Sequence, residues 1–320
     1  GLKNIGNTCF MNSTLQCLCS IQPIRDYFLS QFKINPKKEG NLATQFSALL
    51  RSLTSVDDLY TPVNPIDFKR TLNQYTSLFR GNDQQDSQEF LRYVLDGLSE
   101  DTNRIVEKPK YEELEDIANE NIIDQSNRWF RNYIERSSSF VTDLFLGQLK
   151  SEIKCLVCGR QSVTFDPFLD ICLPINLKRG RKSYISYDRD VSLEECLLKF
   201  TEEECLGGIE QVYCSSCKKH QDTSKVLSFF RVPEVLVIQL KRFSNDQKLL
   251  DQVNLCELLE FNNYVAPEAA DKIYNNQPIT YQLMGVIKHF GSLRGGHYIC
   301  QVRNAEGQWI EYNDSAVKNV

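Results

Sequence analysis

Histidine is scarce in this chain. Three stand in 320 residues, His220, His289 and His297, so acid–base chemistry that needs an imidazole near neutral pH has three places to come from. No apolar run approaches the ~18 residues that a membrane span needs. A basic surplus is missing too: the formal net charge is −5, with 37 Lys and Arg against 42 Asp and Glu. A nucleic-acid binder would carry a basic footprint, so neither nucleic acid nor membrane is expected as a partner. A mildly acidic balance suits a protein partner with basic groups. The opening residues carry no signal-peptide pattern, and a chain that starts on Gly1 is read as an excised domain. Cysteine, by contrast, is plentiful at twelve. An even count invites a disulfide reading, but two Cys-x-x-Cys pairs in a large chain without a secretory signal point instead to a metal, hence to a reducing compartment, cytoplasmic or nuclear.

One cysteine opens a helix. In Gly1-Leu2-Lys3-Asn4-Ile5-Gly6-Asn7-Thr8-Cys9-Phe10-Met11-Asn12-Ser13 a glycine-containing loop runs into Cys9, and Met11, Leu15 and Leu18 recur at helical spacing beyond it. Asn7 and Thr8 are N-cap candidates. Cys9 would then sit beside unpaired N–H groups and the positive end of the helix dipole, which favour the thiolate, the nucleophilic form. Asn4 could aim a carboxamide at a developing oxyanion there. The alternative is an inert buried thiol, the common fate of cysteine. What favours chemistry is a base far down the chain: Gly295-Gly296-His297-Tyr298, then Tyr312-Asn313-Asp314-Ser315. Cys, His, then Asn or Asp is the chain order of papain-like thiol hydrolases. His297 is the better base, because its two preceding glycines allow close approach of a peptide. His289 is expected to hydrogen-bond locally. Asn313 would orient the imidazole, with Asp314 the competitor for that role or a support for the oxyanion.

Two Cys-x-x-Cys pairs, Cys155–Cys158 and Cys214–Cys217, can each turn two sulfurs toward one centre and together complete a tetrahedral S4 site for structural Zn²⁺. Their separation exceeds compact zinc-motif spacing, so strands must bring the turns together. A redox pair would want a βαβ setting, which is not apparent; His220 is an outlying alternative ligand.

Periodicity predicts helices from Cys9 to about Ser20, over Leu42–Leu53, after Pro65, and through Phe90–Leu98, the last capped by Asp83 with Asp86 three residues on. Glu100–Asn127 reads as a charged surface segment, Trp129–Phe140 as a helix and Phe140–Lys154 as tending to a strand. A short helix is expected over Val191–Phe200, after a Lys178–Asp190 loop. Val235–Phe243 reads as a continuous apolar strand buried on both faces or nearly so, followed by a mobile loop over Ser244–Leu250. Tyr281–Lys288 reads as a strand. His289–Gly296 reads as a glycine-rich loop ahead of a His297–Arg303/Gln308–Tyr312 hairpin.

The opening stretch closely resembles the cysteine box of the ubiquitin-specific protease family, and Gly295–Tyr298 with Trp309–Ser315 resembles its histidine box. Gln84-Gln85-Asp86-Ser87-Gln88-Glu89-Phe90-Leu91 resembles its glutamine-rich box, and Phe145–Leu149 with Cys155–Gly159 resembles the segment entering its zinc ribbon. The resemblance implies an α+β, papain-like catalytic domain over 1–320: a helical thumb (1–140), zinc-bearing β fingers with part of the palm (142–228) and a palm (229–320). It implies a deubiquitinase that cleaves the isopeptide bond after ubiquitin's C-terminal glycine through a thioester on Cys9. His297 would be its base, with Asn313 at the usual third position. Gln85, Asp86, Glu89, Gly295, Gly296 and Tyr298 would hold the ubiquitin tail, the two carboxylates meeting its arginines. Zn²⁺ is the implied cofactor, structural rather than catalytic. Ubiquitin, ubiquitinated proteins and a possible activating protein are the implied partners. A catalytically silent ubiquitin-binding scaffold and a protease for a ubiquitin-like modifier are the competing readings.

Overall fold

The computed structural model describes residues 1–55, 61–115, 117, 119–175, 190–244, 247–292 and 295–320. Its first part is helical: α1 (Cys9–Ser20), α2 (Gln22–Leu29), α3 (Asn41–Thr54), α4 (Ile66–Tyr75), α5 (Ser87–Asp101), α6 (Ile122–Ile134) and α7 (Phe140–Phe145). Apolar stripes at helical spacing pull α1 to α5 and α7 round one core of Phe10, Leu15, Phe28, Phe46, Phe68, Phe90 and Leu95. Phe10 meets Phe90 edge-on at 5.5 Å, which locks α1 to α5. Burying each such ring contributes about 2–3 kcal/mol.

The strands follow: β1 (Gly147–Cys155), β2 (Gln161–Phe168), β3 (Ile171–Pro174) and β4 (Val191–Ser192), then α8 (Leu193–Thr201), β5 (Glu204–Leu206), β6 (Val212–Cys214), β7 (Lys219–Gln221) and β8 (Thr223–Arg231). Strands β2-β1-β8-β5 form one antiparallel sheet, and β6 with β7 a separate hairpin. Beyond them lie β9 (Ile238–Lys241), β10 (Phe243–Ser244), β11 (Gln247–Lys248), β12 (Val253–Asn254), β13 (Leu258–Glu260), α9 (Pro267–Lys272) and β14 (Thr280–Gln282). The chain closes with β15 (Gly285–Ser292), β16 (Gly295–Arg303), β17 (Trp309–Asn313) and β18 (Ala316–Asn319), an antiparallel meander. A second core of Phe165, Phe229, Phe230 and Phe261 sits under α8 and α9. No helix among the described residues is long and apolar enough to cross a membrane.

Several expectations change. The cap of α5 is Asp86, not Asp83: its Oδ1 accepts from the N–H groups of Gln88 (2.8 Å) and Glu89 (3.1 Å). The helix starts at Ser87, so the cap lies one residue before it. The Trp129 helix begins earlier, at Ile122 under an Asn121 cap, and Phe140–Phe145 turns once more as a helix before β1. The Val235–Phe243 run is not one continuous strand: Ile238–Lys241 pairs with β3 alone and is mostly half-buried, and Phe243 pairs separately with Lys248 of β11. Its unbroken apolarity has another cause. Val235 and Val237 pack on the helical core, while Leu236, Ile238 and Leu240 pack on the second core. Alternate side chains thus meet different cores. The Ser244–Leu250 segment begins as the β10–β11 pairing, and the His289–Gly296 segment is the facing ends of β15 and β16; residues 245–246 and 293–294 lie outside the described residues. So does nearly all of the Lys178–Asp190 loop. Ser192 caps α8 in a reciprocal pair with Glu195.

Candidate active site and metal centre

The segment before α1 is held by Asp314 after β17 and by Val63 between α3 and α4. Leu2 N–H donates to the Asp314 carbonyl at 2.9 Å and Lys3 N–H to that of Val63 at 2.8 Å. Gly6 and Asn7 take positive φ (112° and 51°), the turn that throws the chain into the helix, and Asn7 Nδ2 donates to the Asn82 carbonyl at 2.8 Å. Thr8 is the N-cap residue but makes no side-chain cap; its hydroxyl accepts from Ile5 N–H instead. The first-turn N–H groups beside Cys9 therefore stay available at the positive end of the helix. Cys9 itself is 3% exposed.

Helix α1 packs against β16, which carries His297. Nε2–H of His297 donates to Oδ1 of Asn313 at 2.7 Å, a bond that leaves the Nδ1 lone pair as the basic site. No hydrogen bond joins His297 to the Cys9 sulfur among the described residues; such bonds are commonly long before substrate binds. Asp314, at φ 49°, does not face the imidazole. Its two oxygens accept from Asn12 Nδ2 at 2.8 Å and from Asn4 Nδ2 at 2.9 Å. Asn4 Oδ1 in turn accepts from the N–H groups of Gly6 and Thr8, each at 3.2 Å. The carboxamide of Asn4 is thus fixed at both ends, and a second amide hydrogen remains on Nδ2.

Gly296 is enclosed. A Cβ there would stand 2.2 Å from both His289 Nε2 and the Phe290 carbonyl oxygen. His289 stacks near Tyr298 (4.6 Å between ring centres) and accepts at Nδ1 from Lys248 Nζ at 3.0 Å. Burial, and then the Lys248 ammonium, hold its pKa below the ordinary value, so it stays neutral and packs as a support. Lys248 also donates to the carbonyls of His289 (2.6 Å) and Gly291 (3.2 Å), tying β11 to β15. Tyr298, pushed up to about 12 by burial and by the Asp86 charge, remains a phenol. Gly296→Ala, one residue before His297, must displace the Phe290 carbonyl and the His289 ring, and a misplacement of ~1 Å costs about 10²-fold in rate. That loss, with near-normal far-UV circular dichroism, is the expected result; full activity would mean that the hairpin yields without moving His297.

The glutamine-rich segment divides its roles differently from expectation. Gln85 Nε2 turns back to the Leu78 carbonyl at 3.4 Å. Its neighbour Gln84 crosses to β16, donating from Nε2 to the Gly296 carbonyl (2.9 Å) and accepting at Oε1 from Gly296 N–H (2.7 Å). Asp86 spends Oδ1 on its cap, and Glu89 stands exposed in the first turn of α5. Gln84 and Asn12 are the neighbours that sequence reasoning missed. Both lie inside the quoted motifs, but which amide reaches which partner depends on backbone paths that the motifs do not encode.

The sulfurs of Cys155, Cys158, Cys214 and Cys217 all lie within 4.8 Å of one another, with Cys158 and Cys214 3.6 Å apart. A tetrahedron with metal–sulfur bonds of ~2.3 Å has edges of about 3.8 Å, so the four sulfurs fit one metal ion. Each turn closes on a positive-φ residue, Gly159 (73°) and Lys218 (54°). Their N–H groups return to the carbonyls of Cys155 (2.9 Å) and Cys214 (2.7 Å). His220 stays outside the cluster, its Nδ1 3.1 Å from the Gln211 carbonyl. None of the twelve cysteines is in a disulfide.

A thiol at the start of an N-terminal helix, packed on the strand whose imidazole is hydrogen-bonded to a carboxamide on the next strand, matches the chain order and elements of papain-like thiol hydrolases. Residues 1–320 match the family model described as ubiquitin carboxyl-terminal hydrolase, and the chain belongs to that family. Ubiquitin carboxyl-terminal hydrolase 2 of Bos taurus is 36% identical over 330 residues, covering 99% of this chain and 51% of that protein. Ubiquitin carboxyl-terminal hydrolase 4 of Saccharomyces cerevisiae (strain RM11-1a) is 34% identical over 353 residues, 100% of this chain and 37% of that one. The chain therefore spans about half or less of these relatives. Among solved structures, the SAGA Ubp8/Sgf11/Sus1/Sgf73 DUB module bound to ubiquitin aldehyde matches with a TM-score of 0.73 at 26% identity, over 100% of this chain and 65% of that one. A module of the same four proteins bound to monoubiquitin matches at 0.75, over 100% and 64%. The α+β fold is that of these catalytic domains.

Proposed function

We propose that this domain is a deubiquitinase, a thiol hydrolase of the isopeptide bond that follows ubiquitin's C-terminal glycine. The observation that carries the reading is the 2.7 Å His297–Asn313 bond on the strand packed against the Cys9 helix, in a chain of this family. His297 Nδ1 takes the Cys9 proton as the sulfur attacks the carbonyl, and returns it to the leaving lysine amine. Water, deprotonated by the same imidazole, then cleaves the thioester. The developing oxyanion meets the first-turn N–H groups of α1 and the spare amide hydrogen of Asn4. Asn313 orients the base, and Asp314 holds Asn4.

The cleft lies between a helical thumb and a palm that carries β15 to β18. Gly295, Gly296, Tyr298 and Asp86 line the path of the tail's two glycines, and Asp86 Oδ2 with Glu89 offers carboxylates to the tail's arginines. The four cysteines hold structural Zn²⁺ in the fingers. Ubiquitin and its protein conjugates are the partners, and the Ubp8 module's three companion proteins support an activating protein as a third. Free thiols and thiolate metal ligands suit the cytoplasm or nucleus.

Two experiments test this reading. Hydrolysis of a ubiquitin C-terminal fluorogenic amide should exceed that of the same amide on ubiquitin-like proteins. Turnover of only a ubiquitin-like substrate would change the modifier, and binding of ubiquitin without turnover would leave a scaffold. Asn313→Ala is expected to lower kcat by about 10²-fold or more through loss of imidazole orientation, and Asp314→Ala less, since it acts on one oxyanion donor. The reverse ranking would move the orienting role to Asp314.

A further inference from the structure

We infer that Gln84 is a positioning residue for the catalytic base: its carboxamide fixes the backbone of β16 one residue before His297. The inference rests on the thiol-hydrolase reading above and adds a residue to it.

The argument starts from what holds β16 in place. On one side the strand pairs with β15 along its whole length, from Gly295 opposite Ser292 to Val302 opposite Gly285. On the other side β17 pairs only with Cys300–Arg303. The stretch that carries the imidazole therefore has an open edge, and it begins with two glycines, the residues that restrain a backbone least. Gln84 covers that edge. Its amide takes both the N–H (2.7 Å) and the carbonyl (2.9 Å) of Gly296, the two bonds that a neighbouring strand would supply. On the opposite side Gly296 faces Gly291 in the ladder and His289 in packing, with Lys248 anchoring both. The glycine before the base is thus gripped from two sides, and Gln84 is the grip that comes from the helical half. It sits on the connection into α5, which packs against α1 and hence against the element bearing Cys9. One side chain links the frame of the nucleophile to the frame of the base.

The contact is exposed and uncharged, so its loss should leave folding intact. Two neutral hydrogen bonds together correspond to about a tenfold effect. A residue that merely touches the ubiquitin tail would change KM. A residue that positions His297 changes the chemical step, kcat, and through the imidazole the reactivity of Cys9.

The test compares wild type with Gln84→Ala. Iodoacetamide alkylation at Cys9 is followed by peptide mass spectrometry across pH without ubiquitin, and kcat and KM are measured with the ubiquitin fluorogenic amide. The expected result is slower alkylation with a pH profile shifted toward that of an ordinary thiol, kcat down about tenfold and KM within about twofold. An unchanged Cys9 profile, with any loss confined to KM, would overturn the inference while leaving the thiol hydrolase standing. A wild-type Cys9 that already titrates as an ordinary thiol in a protein with no ubiquitin turnover would overturn the proposed function, and this inference with it.

Discussion

Cys9→Ala is expected to abolish hydrolysis of ubiquitin conjugates, with kcat falling by at least about 10⁴-fold, while ubiquitin affinity stays within a few-fold. The size of the effect follows from the chemistry. Without the sulfur no thioester forms, and what remains is transition-state stabilisation of a direct attack by water, with His297 lacking its partner. The retention of binding follows from the packing. Cys9 is 3% exposed at the start of α1, and alanine, slightly smaller and the best helix former, fits that position without strain. The ubiquitin-tail surface proposed above, the start of α5 with Gly295, Gly296 and Tyr298, does not depend on it. Fluorogenic hydrolysis and biolayer interferometry on the purified variant check both halves. Residual turnover near the wild-type rate would remove Cys9 as nucleophile.

Cys155→Ser is expected to have the largest effect on stability. Structural zinc sites contribute apparent binding free energies of ~10–16 kcal/mol in small peptides. Cys155 is buried at the end of β1, where it also begins the turn that returns from Gly159. Loss of one thiolate leaves three sulfurs facing one another with no charge to balance them. Zinc content should fall from about one per chain to well below half. A cost of roughly 3–5 kcal/mol would lower the melting temperature by roughly 10 °C, first in the β2-β1-β8-β5 sheet. The iodoacetamide profile of Cys9, on the other core, should not change. Active wild-type protein without zinc, by elemental analysis, would overturn the metal assignment.

The legible parts of this protein are those where function writes a short continuous string. The residues around Cys9, His297 and the Cys-x-x-Cys turns declare themselves because each chemistry needs its groups within one turn or one strand. The division of labour between Asn313 and Asp314 was left open by the sequence, since adjacent residues offer the same chemistry. In the structure Asn313 takes the His297 bond, while Asp314, at positive φ, turns its carboxylate to Asn4 and Asn12. The Asp83 cap was misplaced by three residues because Asp83 and Asp86 both satisfy a capping pattern, and only the path of the preceding chain selects one. Apolar runs were legible as core but not as topology. Val235–Phe243 reads as a strand buried on both faces because Val235–Leu240 lies between two cores, each taking alternate side chains. Gln84 was beyond reach, since its partner lies across the cleft at Gly296 and no periodicity links them.

The most direct test of the central claim is intact mass spectrometry after incubation with ubiquitin bearing a C-terminal electrophile. The account predicts a mass gain of one ubiquitin, placed on Cys9 by peptide mapping and absent in Cys9→Ala. No gain from a folded, ubiquitin-binding protein, or an adduct on any other cysteine, would contradict it.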